Sequence, residues 1–300
     1  MKRKESFSRK AFLVFNTLFM LGIIVIMVAP YLNILAKAFN EGTDTARGGI
    51  TIFPRKFTLE NFITVFENSA FPRAAFISVA RVILGTLLSL IVQLMAAYAF
   101  THKDLVGRTG LLMFLMIPMY FGGGLIPTYI FLSKVKLLNN FLLYVLSGCF
   151  SLYNMIIIRS YINGLPEGLK EAARLDGASE ITILWKIIVP CSKPILATIT
   201  LWRAVALWSD WTTTMYFFTK KKLFTLQYLL VQVLKETERI QQMISEAQMR
   251  GEVIDVSELQ ITTESIRCAQ LIITTVPIVL TYPFLQKYFI KGVTLGAVKD

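Results

Sequence analysis

Two charged side chains, Arg203 and Asp210, lie well inside the apolar stretch Ile187–Thr219. Lys193 is the only other charge there, and it is close enough to one end for its ammonium group to reach a polar boundary. The seven-residue separation of Arg203 and Asp210 places them on roughly one face of a helix. Charges at such depth usually face a bundle interior or a wet cavity. They could pair with each other or with another subunit, or Arg203 could face an anionic ligand.

The sequence offers little for catalysis or metal binding. The single histidine, His102, lies in a short polar loop with no ligand partner nearby, and the cysteines 149, 191 and 268 lie in or beside apolar runs. An odd cysteine count without a close pair argues against a disulfide or zinc framework. The chain has no Gly-x-x-x-x-Gly-Lys-Ser/Thr loop for ATP, and no paired aspartates, histidine cluster or Gly-x-Ser-x-Gly motif. We therefore predict a non-catalytic protein that itself binds no metal or cofactor.

The composition is that of a membrane protein. Of the 300 residues, 55% are hydrophobic, whereas about 45–50% is usual for soluble domains. A helix needs about 20 apolar residues to cross the bilayer core. Six stretches meet or approach this requirement: Ala11–Ala36, Val82–Thr101, Thr109–Ser133, Leu137–Ile158, Ile187–Thr219 and Cys268–Gln286. We predict an all-α membrane protein with six transmembrane helices, in a single domain over residues 1–300.

The charge pattern predicts the orientation. The net charge of +12 suits anionic lipid head groups, and beside such long apolar runs it does not indicate a nucleic-acid partner. Five basic residues precede the first span: Lys2, Arg3, Lys4, Arg9 and Lys10. By the positive-inside rule they place the N-terminus in the cytoplasm, and six spans return the C-terminus to the same side. Lys134 and Lys136 then fall outside, a mild exception, and Asn40–Arg73 and Lys220–Glu264 become long external segments.

A run of three glycines, Gly122–Gly124, followed by Pro127 interrupts the third predicted span. Such a run weakens a helix and could form a hinge or an unwound turn that lines a cavity. It could equally permit close helix packing, as small residues do in membranes. The sequence alone leaves both possibilities open.

The most informative segment is Leu165–Pro194, which the topology places in the cytoplasm. It reads LPEGLKEAARLDGASEITILWKIIVPCSKP. Pro166 suits a helix start, helix-favouring residues follow it, and Gly177 permits a backbone conformation that other residues avoid. Apolar residues then recur at helical spacing: Ile181, Leu184, Trp185 and Ile188. We predict two short helices separated at Gly177, the second one amphipathic over Ala178–Ile188.

This segment closely resembles the EAA loop of the permease subunits of ABC importers. The family pattern is E-A-A, three residues, G, nine residues and I-x-L-P. The matching positions are Glu171, Ala172, Ala173, Gly177, Ile187 and Pro190, with Asp176 and Ala178 extending the match and Val189 in place of the usual Leu. The resemblance implies a type I ABC importer permease fold, with a core over about residues 74–291. The alternative is an ordinary helix–turn–helix between two spans.

Other segments are similar to the carbohydrate-uptake branch of this family. They are Leu152–Asn154, Arg159–Tyr161, Trp208–Trp211 and a C-terminal signature over Tyr282–Phe289 and Lys291–Val293. Ser209 departs from that branch's W-N-D-W, which has Asn. The extension before the last span is similar to that of the complex-oligosaccharide permeases often called LplC- or YtcP-like. The resemblance implies a subunit that forms part of the translocation path for a sugar or oligosaccharide.

In this family the EAA loop docks into a groove on a separate ATPase, whose closure on ATP switches the permease from inward- to outward-facing. The implied partners are a second permease subunit, usually a different homologue, a dimer of ATP-binding subunits, an extracellular or periplasmic solute-binding protein, and the lipid bilayer of a bacterial cell membrane. ATP and Mg would be held by the ATPase. Glu171 would pair with a basic group there, Ala172, Ala173 and Gly177 would pack closely in the groove, and the tail Gly292–Asp300 would reach the same interface.

Sugar sites combine aromatic faces with polar hydrogen-bonding groups, and both kinds of residue occur near the charged pair. The candidates for the substrate path are Asn154, Trp202, Arg203, Trp208, Asp210, Trp211 and Tyr216. Each tryptophan could instead pack between helices or lie in an interfacial belt.

Two alternative functions remain. One is an ABC permease for a non-sugar substrate. The other is a secondary, ion-coupled transporter, which would show inverted halves and an ion site of its own. The second fits less well, because the EAA loop has no role in it and only Arg203 and Asp210 are predicted to be buried charges.

Overall fold

The computed structural model of the chain describes residues 7–250, 264–281 and 283, and helices make up most of them. The helices are α1 (Phe7–Ala38), α2 (Gly42–Ala46), α3 (Glu60–Glu67), α4 (Ala70–Ala99), α5 (Arg108–Tyr120), α6 (Leu125–Lys134), α7 (Phe141–Leu146), α8 (Leu152–Asn163), α9 (Gly168–Leu175), α10 (Glu180–Ile183), α11 (Val189–Cys191), α12 (Lys193–Ser209), α13 (Thr212–Phe217), α14 (Leu226–Met249) and α15 (Glu264–Thr281). A π-helical turn, Leu184–Ile188, joins α10 to α11. Within these residues the only β pairing is a single bridge between Asn40 and Phe57, so the predicted all-α fold is confirmed.

The membrane helices are more broken than the sequence predicts. In the described ranges α1, α4 and α15 are each long and apolar enough to cross a bilayer. Two bent pairs also qualify when each pair is counted as one span: α5 with α6, and α10–α11 with α12. The predicted span Leu137–Ile158 consists of α7 and α8 with a non-helical stretch, residues 147–151, between them. This arrangement is consistent with six spans.

The first of two compact units contains the described residues of segments 1–69 and 230–276. Its segment after α1, expected to be a long external loop, carries α2 and α3 and folds around the buried side chain of Asn40. The Asn40 amide donates to Asp44 Oδ2 at 3.0 Å and to the Thr45 hydroxyl at 3.1 Å. The hydrogen bond from Asn40 lowers the pKa of Asp44. A polar side chain therefore organises this segment where the sequence indicates only a connection.

The second unit contains the described residues of segments 70–229 and 277–300 and is built on α4, which packs against α7, α8 and α12. Its largest apolar cluster includes the buried side chains of Leu94, Ala97, Met155, Ile158, Ile162, Ile183, Leu184, Ile188, Leu196 and Ile199. The cluster thus contains residues from the predicted spans and from the EAA loop. The loop and the membrane helices share one packed core.

The helix α4 begins at Ala70, well before its predicted start at Val82. Arg73 and Arg81 therefore lie within the helix, and Arg81 is only 2% exposed. The prediction that Arg203 and Asp210 are the only buried charges is wrong. A span predicted from an uncharged apolar stretch ends at an arginine. Arg81 nevertheless lies inside the helix, because it forms an ion pair with Asp210, which is far along the chain.

The run Gly122–Gly124 breaks the third span. The chain bends by 115° between α5 and α6. Residues 121–124, between the two helices, are not helical, and Gly124 has φ +81°. A Cβ built on any of the three glycines would have no atom within 4 Å in the described chain. Of the two possibilities left open by the sequence, this geometry favours the unwound turn over close helix packing.

Candidate functional site

The turn in the EAA loop is fixed by a helix-ending motif. The helix α9 ends at Leu175, and Gly177 follows in the left-handed region with φ +78°. The Gly177 N–H donates to the Arg174 carbonyl at 3.0 Å, and the Ala178 N–H donates to the Ala173 carbonyl at 2.9 Å. This pair of bonds is a Schellman motif, whose left-handed position favours glycine because a Cβ would crowd the backbone there. The predicted separation of two helices at Gly177 is confirmed.

The motif residues divide between an inner and an outer face of the loop. Ala173, Ala178 and Ile187 are half-buried and pack on the apolar cluster of the second unit. An apolar contact between residues in the places of Ala173 and Ala178 commonly accompanies a Schellman motif. The exposed motif residues are Glu171, Ala172, Asp176, Gly177 and Pro190. The inner residues thus hold the loop on its own chain, and the outer ones are open to a partner.

The outer face also carries large apolar side chains: Leu169, Leu175, Ile181 and Trp185. Leu175 is 88% exposed and Ile181 is 71% exposed. The amphipathic face predicted for the second helix is therefore only half right, since the structure buries Ile183, Leu184 and Ile188. Together with the half-buried Ile187, these three residues form a stripe at regular helical spacing. Exposed apolar side chains on one polar loop are typical of a protein-contact surface.

A polar cluster around Glu180 ties the loop to the last turn of α4. The Glu180 carboxylate accepts a hydrogen bond from the Tyr98 hydroxyl, and Arg174 Nε donates to Oε1 at 2.9 Å. His102 Nε2 lies 3.6 Å from the same carboxylate. The bond from Tyr98 lowers the pKa of Glu180, and the bond to Glu180 raises the pKa of Arg174. Sequence reasoning missed this cluster and expected no partner near His102, because its members are far apart along the chain.

Asp210 does not lie on α12, which ends one residue earlier. Its Oδ1 accepts hydrogen bonds from the Thr212 hydroxyl at 2.7 Å and from the Thr213 N–H at 3.1 Å, which hold the start of α13. Its other oxygen pairs with the Arg81 guanidinium, which also donates to the Asp210 carbonyl at 2.9 Å. Asp210 is thus paired with Arg81 rather than with Arg203, and the predicted common helix face is absent.

A polar network encloses the buried end of Arg81. The Tyr144 ring centroid lies 4.6 Å from the guanidinium carbon, close enough for a cation–π attraction. The Tyr144 hydroxyl lies 2.9 Å from the Thr214 hydroxyl and donates to the Leu223 carbonyl at 2.9 Å. The Tyr144 ring stacks on Phe218 with centroids 4.1 Å apart. The network joins α4, α7 and α13 through hydrogen bonds and ring contacts, whereas the buried Arg81 Nε has no hydrogen-bond partner.

Arg203 lies apart from this network. Its Nη2 donates to the Ser147 carbonyl at 2.6 Å, at the break between α7 and α8. A Cβ on Gly148 would lie 3.2 Å from Arg203 Nη1, so the chain runs closely past the guanidinium. Among the residues that the structure describes, no carboxylate forms an ion pair with Arg203.

The aromatic candidates for the substrate path differ in their exposure and surroundings. Trp208 lines an apolar groove of about 310 Å³ together with Val79, Ile83 and Pro277. Trp202 and Tyr216 are exposed, whereas Asn154 and Trp211 are half-buried. A place in the substrate path stays a prediction for all of them.

Three sequence predictions fall outside the described residues. They concern the basic residues Lys2, Arg3 and Lys4, the C-terminal signature from Tyr282 onward with the exception of Pro283, and the tail Gly292–Asp300. Each of them stays a prediction.

Broken membrane helices, with an EAA loop packed on the same core, define a permease subunit of the type I ABC importer architecture. The chain belongs to the family of binding-protein-dependent transport system inner membrane components, whose family model matches residues 85–295. Membership in this family makes the chain a membrane subunit of an importer, and the predicted family is confirmed.

Known proteins resemble the chain over nearly its whole length. It is 33% identical to the protein LplC of Bacillus subtilis, over 97% of this chain and 95% of that protein. It is 29% identical to the polygalacturonan/rhamnogalacturonan transport system permease protein YtcP of Bacillus subtilis, over 94% and 96%. A chain in the crystal structure of a bacterial ABC transporter involved in the import of the acidic polysaccharide alginate has a TM-score of 0.84 at 23% identity, covering 96% of this chain and 100% of that one. The solved structure supports the fold.

Proposed function

We propose that this chain forms part of the membrane pathway of an ABC importer for oligosaccharides. The support for the substrate class is the relative YtcP, named for polygalacturonan and rhamnogalacturonan transport, which aligns over almost all of both chains. Full-length similarity is relevant because a membrane pathway is lined by several spans rather than by one local motif. The segments similar to the carbohydrate-uptake branch point to the same class.

The observation that carries the coupling role is the two-faced EAA loop. Its outer face exposes Leu175 and Ile181 for a partner, and its inner face buries Ile183 and Ile188 in the core shared with α4, α8 and α12. The contact between the loop and this core can transmit a displacement, because protein interiors are close-packed and hardly compressible. Movement of an ATPase against the outer face would therefore move the membrane helices.

The proposed assembly contains this chain, a second and different permease subunit, two ATP-binding subunits and an extracellular or periplasmic solute-binding protein. The family description supports the last of these, because it names dependence on a binding protein. ATP and Mg would be bound by the ATP-binding subunits, in agreement with the absence of a nucleotide-binding loop from this sequence. No catalytic step is assigned to this chain.

We further propose that both termini and the EAA loop lie in the cytoplasm. Reporter fusions after Asp300 are expected to be active only as cytoplasmic reporters, because six spans return the chain to its starting side. An insertion within residues 251–259 is expected to report the exterior. The same side for both positions would exclude the six-span topology.

The oligosaccharide function is tested by uptake in cells that contain the whole importer. Deletion of this chain is expected to abolish accumulation of labelled trigalacturonate, and expression of the chain is expected to restore it. Uptake should persist when a protonophore collapses the ion gradients while cellular ATP is maintained. The opposite energy dependence would favour an ion-coupled transporter. If deletion leaves the uptake of a panel of oligosaccharides unchanged, the substrate is not a sugar.

A further inference from the structure

Arg203 lies at the middle of the predicted span Ile187–Thr219. It follows Lys193, the first residue of α12, by ten residues, which corresponds to about 15 Å along an α-helix. The hydrocarbon core of a bilayer is about 30 Å thick. A permanently charged guanidinium at this depth is costly, so it faces protein or water and usually marks a functional path.

The backbone beside Arg203 gives a second, independent indication of a wet surface. Residues 147–151 are not helical, Gly148 has φ +64°, and both Ser147 and Gly148 are exposed in this chain. Non-helical backbone at membrane depth is tolerated only where protein covers it or where it lines a water-filled cavity. The Ser147 carbonyl, freed from helix bonding, accepts a hydrogen bond from Arg203 at 2.6 Å. The guanidinium and the helix break thus share one surface.

The two deep arginines differ in how their charge is compensated. Arg81 has a carboxylate partner, Asp210, and the Tyr144 ring over its guanidinium. Arg203 has one backbone carbonyl and, in the described parts of the chain, no carboxylate in ion-pair contact. Within the described residues, its positive charge is therefore not neutralised by a direct ion pair.

We propose that Arg203 selects anionic oligosaccharides by binding a sugar carboxylate during passage, an inference that rests on the proposed function. A guanidinium presents paired donors that match a carboxylate, and it remains charged in any surroundings. The bond to Ser147 uses Nη2 and fixes the orientation of the group. Gly148, which has no side chain, keeps space beside Nη1, where a Cβ would lie at 3.2 Å. The substrate class is that of saccharides with uronic acid residues.

Two probes with the same sugar backbone and different charge test this proposal: trigalacturonate and its fully methyl-esterified, neutral derivative. The solute-binding protein can itself discriminate between them, so the measured quantity is the ratio of the two uptake rates in each variant relative to the wild-type ratio. Arg203→Gln is expected to lower this ratio about tenfold or more, as the loss of a charge-assisted hydrogen bond does. Arg203→Lys should retain most of it, because the charge remains.

Lys193→Gln is the matched control, because it removes an exposed positive charge at the start of the same helix and should leave the ratio unchanged. An equal loss of both probes in Arg203→Gln, at an unchanged amount of assembled transporter, would overturn the proposal and assign Arg203 to holding the helix break or a partner subunit. An unchanged ratio in Arg203→Gln would also overturn it. If the wild-type transporter imports the neutral probe but not trigalacturonate, the inference about Arg203 is wrong, whereas the proposed oligosaccharide function still holds. Import of no oligosaccharide at all would refute both.

Discussion

Replacing Arg81 by methionine is expected to destabilise the permease by about 3–5 kcal/mol, which is typical for breaking one side of a buried ion pair. Arg81 is 2% exposed, and its removal leaves the Asp210 carboxylate without a countercharge in the protein interior. The change also removes the donor to the Asp210 carbonyl and the cation over the Tyr144 ring. Asp210→Asn should cost a similar amount, because it leaves the Arg81 charge buried without a partner.

The measurement is the thermal stability of the purified transporter in lipid nanodiscs. Arg73→Met is the control, since Arg73 is an exposed arginine on the same helix and its loss should have little effect. The double variant Arg81→Met with Asp210→Asn should be more stable than the sum of the single losses, because no lone charge remains. If Arg81→Met is as stable as Arg73→Met, the Arg81–Asp210 ion pair does not contribute to the stability of the assembled transporter.

Features with a local cause were predictable from the sequence. The membrane character, most of the spans and the all-α fold follow from the lengths of apolar runs. The turn at Gly177 was predictable because glycine is the residue that most readily adopts the left-handed conformation. The structure adds the two hydrogen bonds of the Schellman motif. Each of these features depends on a few neighbouring residues, so no knowledge of distant contacts was needed.

Features with a distant cause were not predictable. Arg81 and Asp210 are 129 residues apart, and neither residue type indicates the other as its partner. The start of α4 was misplaced for the same reason, because an arginine ends an apolar run unless its countercharge is known. Tyr98 and Glu180 are 82 residues apart, so the attachment of the EAA loop to α4 was equally hidden.

The inward face of the second EAA helix was misassigned for a more local reason. The predicted stripe left out Ile183 and Ile187, which lie beside Leu184 and Ile188 at regular helical spacing and face inward. Ile181 and Trp185, predicted to lie on the buried face, lie at the edge of this stripe and are exposed. These two side chains become part of the exposed face that we propose contacts the ATPase.

Replacing Gly177 by valine is expected to abolish oligosaccharide uptake while the protein still inserts into the membrane. The residue has φ +78°, where an L-residue costs about 1–2 kcal/mol and a β-branched one is a clear outlier. The Schellman bonds at the end of α9 would be lost or distorted, and the exposed residues of α9 and α10 would change their relative positions. No membrane span is altered, so the amount of protein in the membrane should remain near the wild-type level.

Two further variants separate backbone conformation from side-chain volume. A Cβ at Gly177 has no atom within 4 Å in the described chain, so volume is not limiting within this subunit. Gly177→Asn should therefore retain much of the uptake, because asparagine adopts the left-handed conformation more readily than valine. Gly168→Ala, in the same loop, is the matched glycine control, since it has free space and no left-handed backbone.

The readouts are uptake, co-purification of the ATPase and its rate of ATP hydrolysis. Gly177→Val should reduce co-purification or leave ATP hydrolysis that no longer drives uptake, and Glu171→Ala should add to the defect by removing an exposed charge from the same face. If Gly177→Asn is as damaging as Gly177→Val, bulk at the ATPase contact is responsible rather than backbone conformation. If Gly177→Val and Glu171→Ala together leave both association and uptake at wild-type levels, the EAA loop is not the element that couples this subunit to ATP hydrolysis.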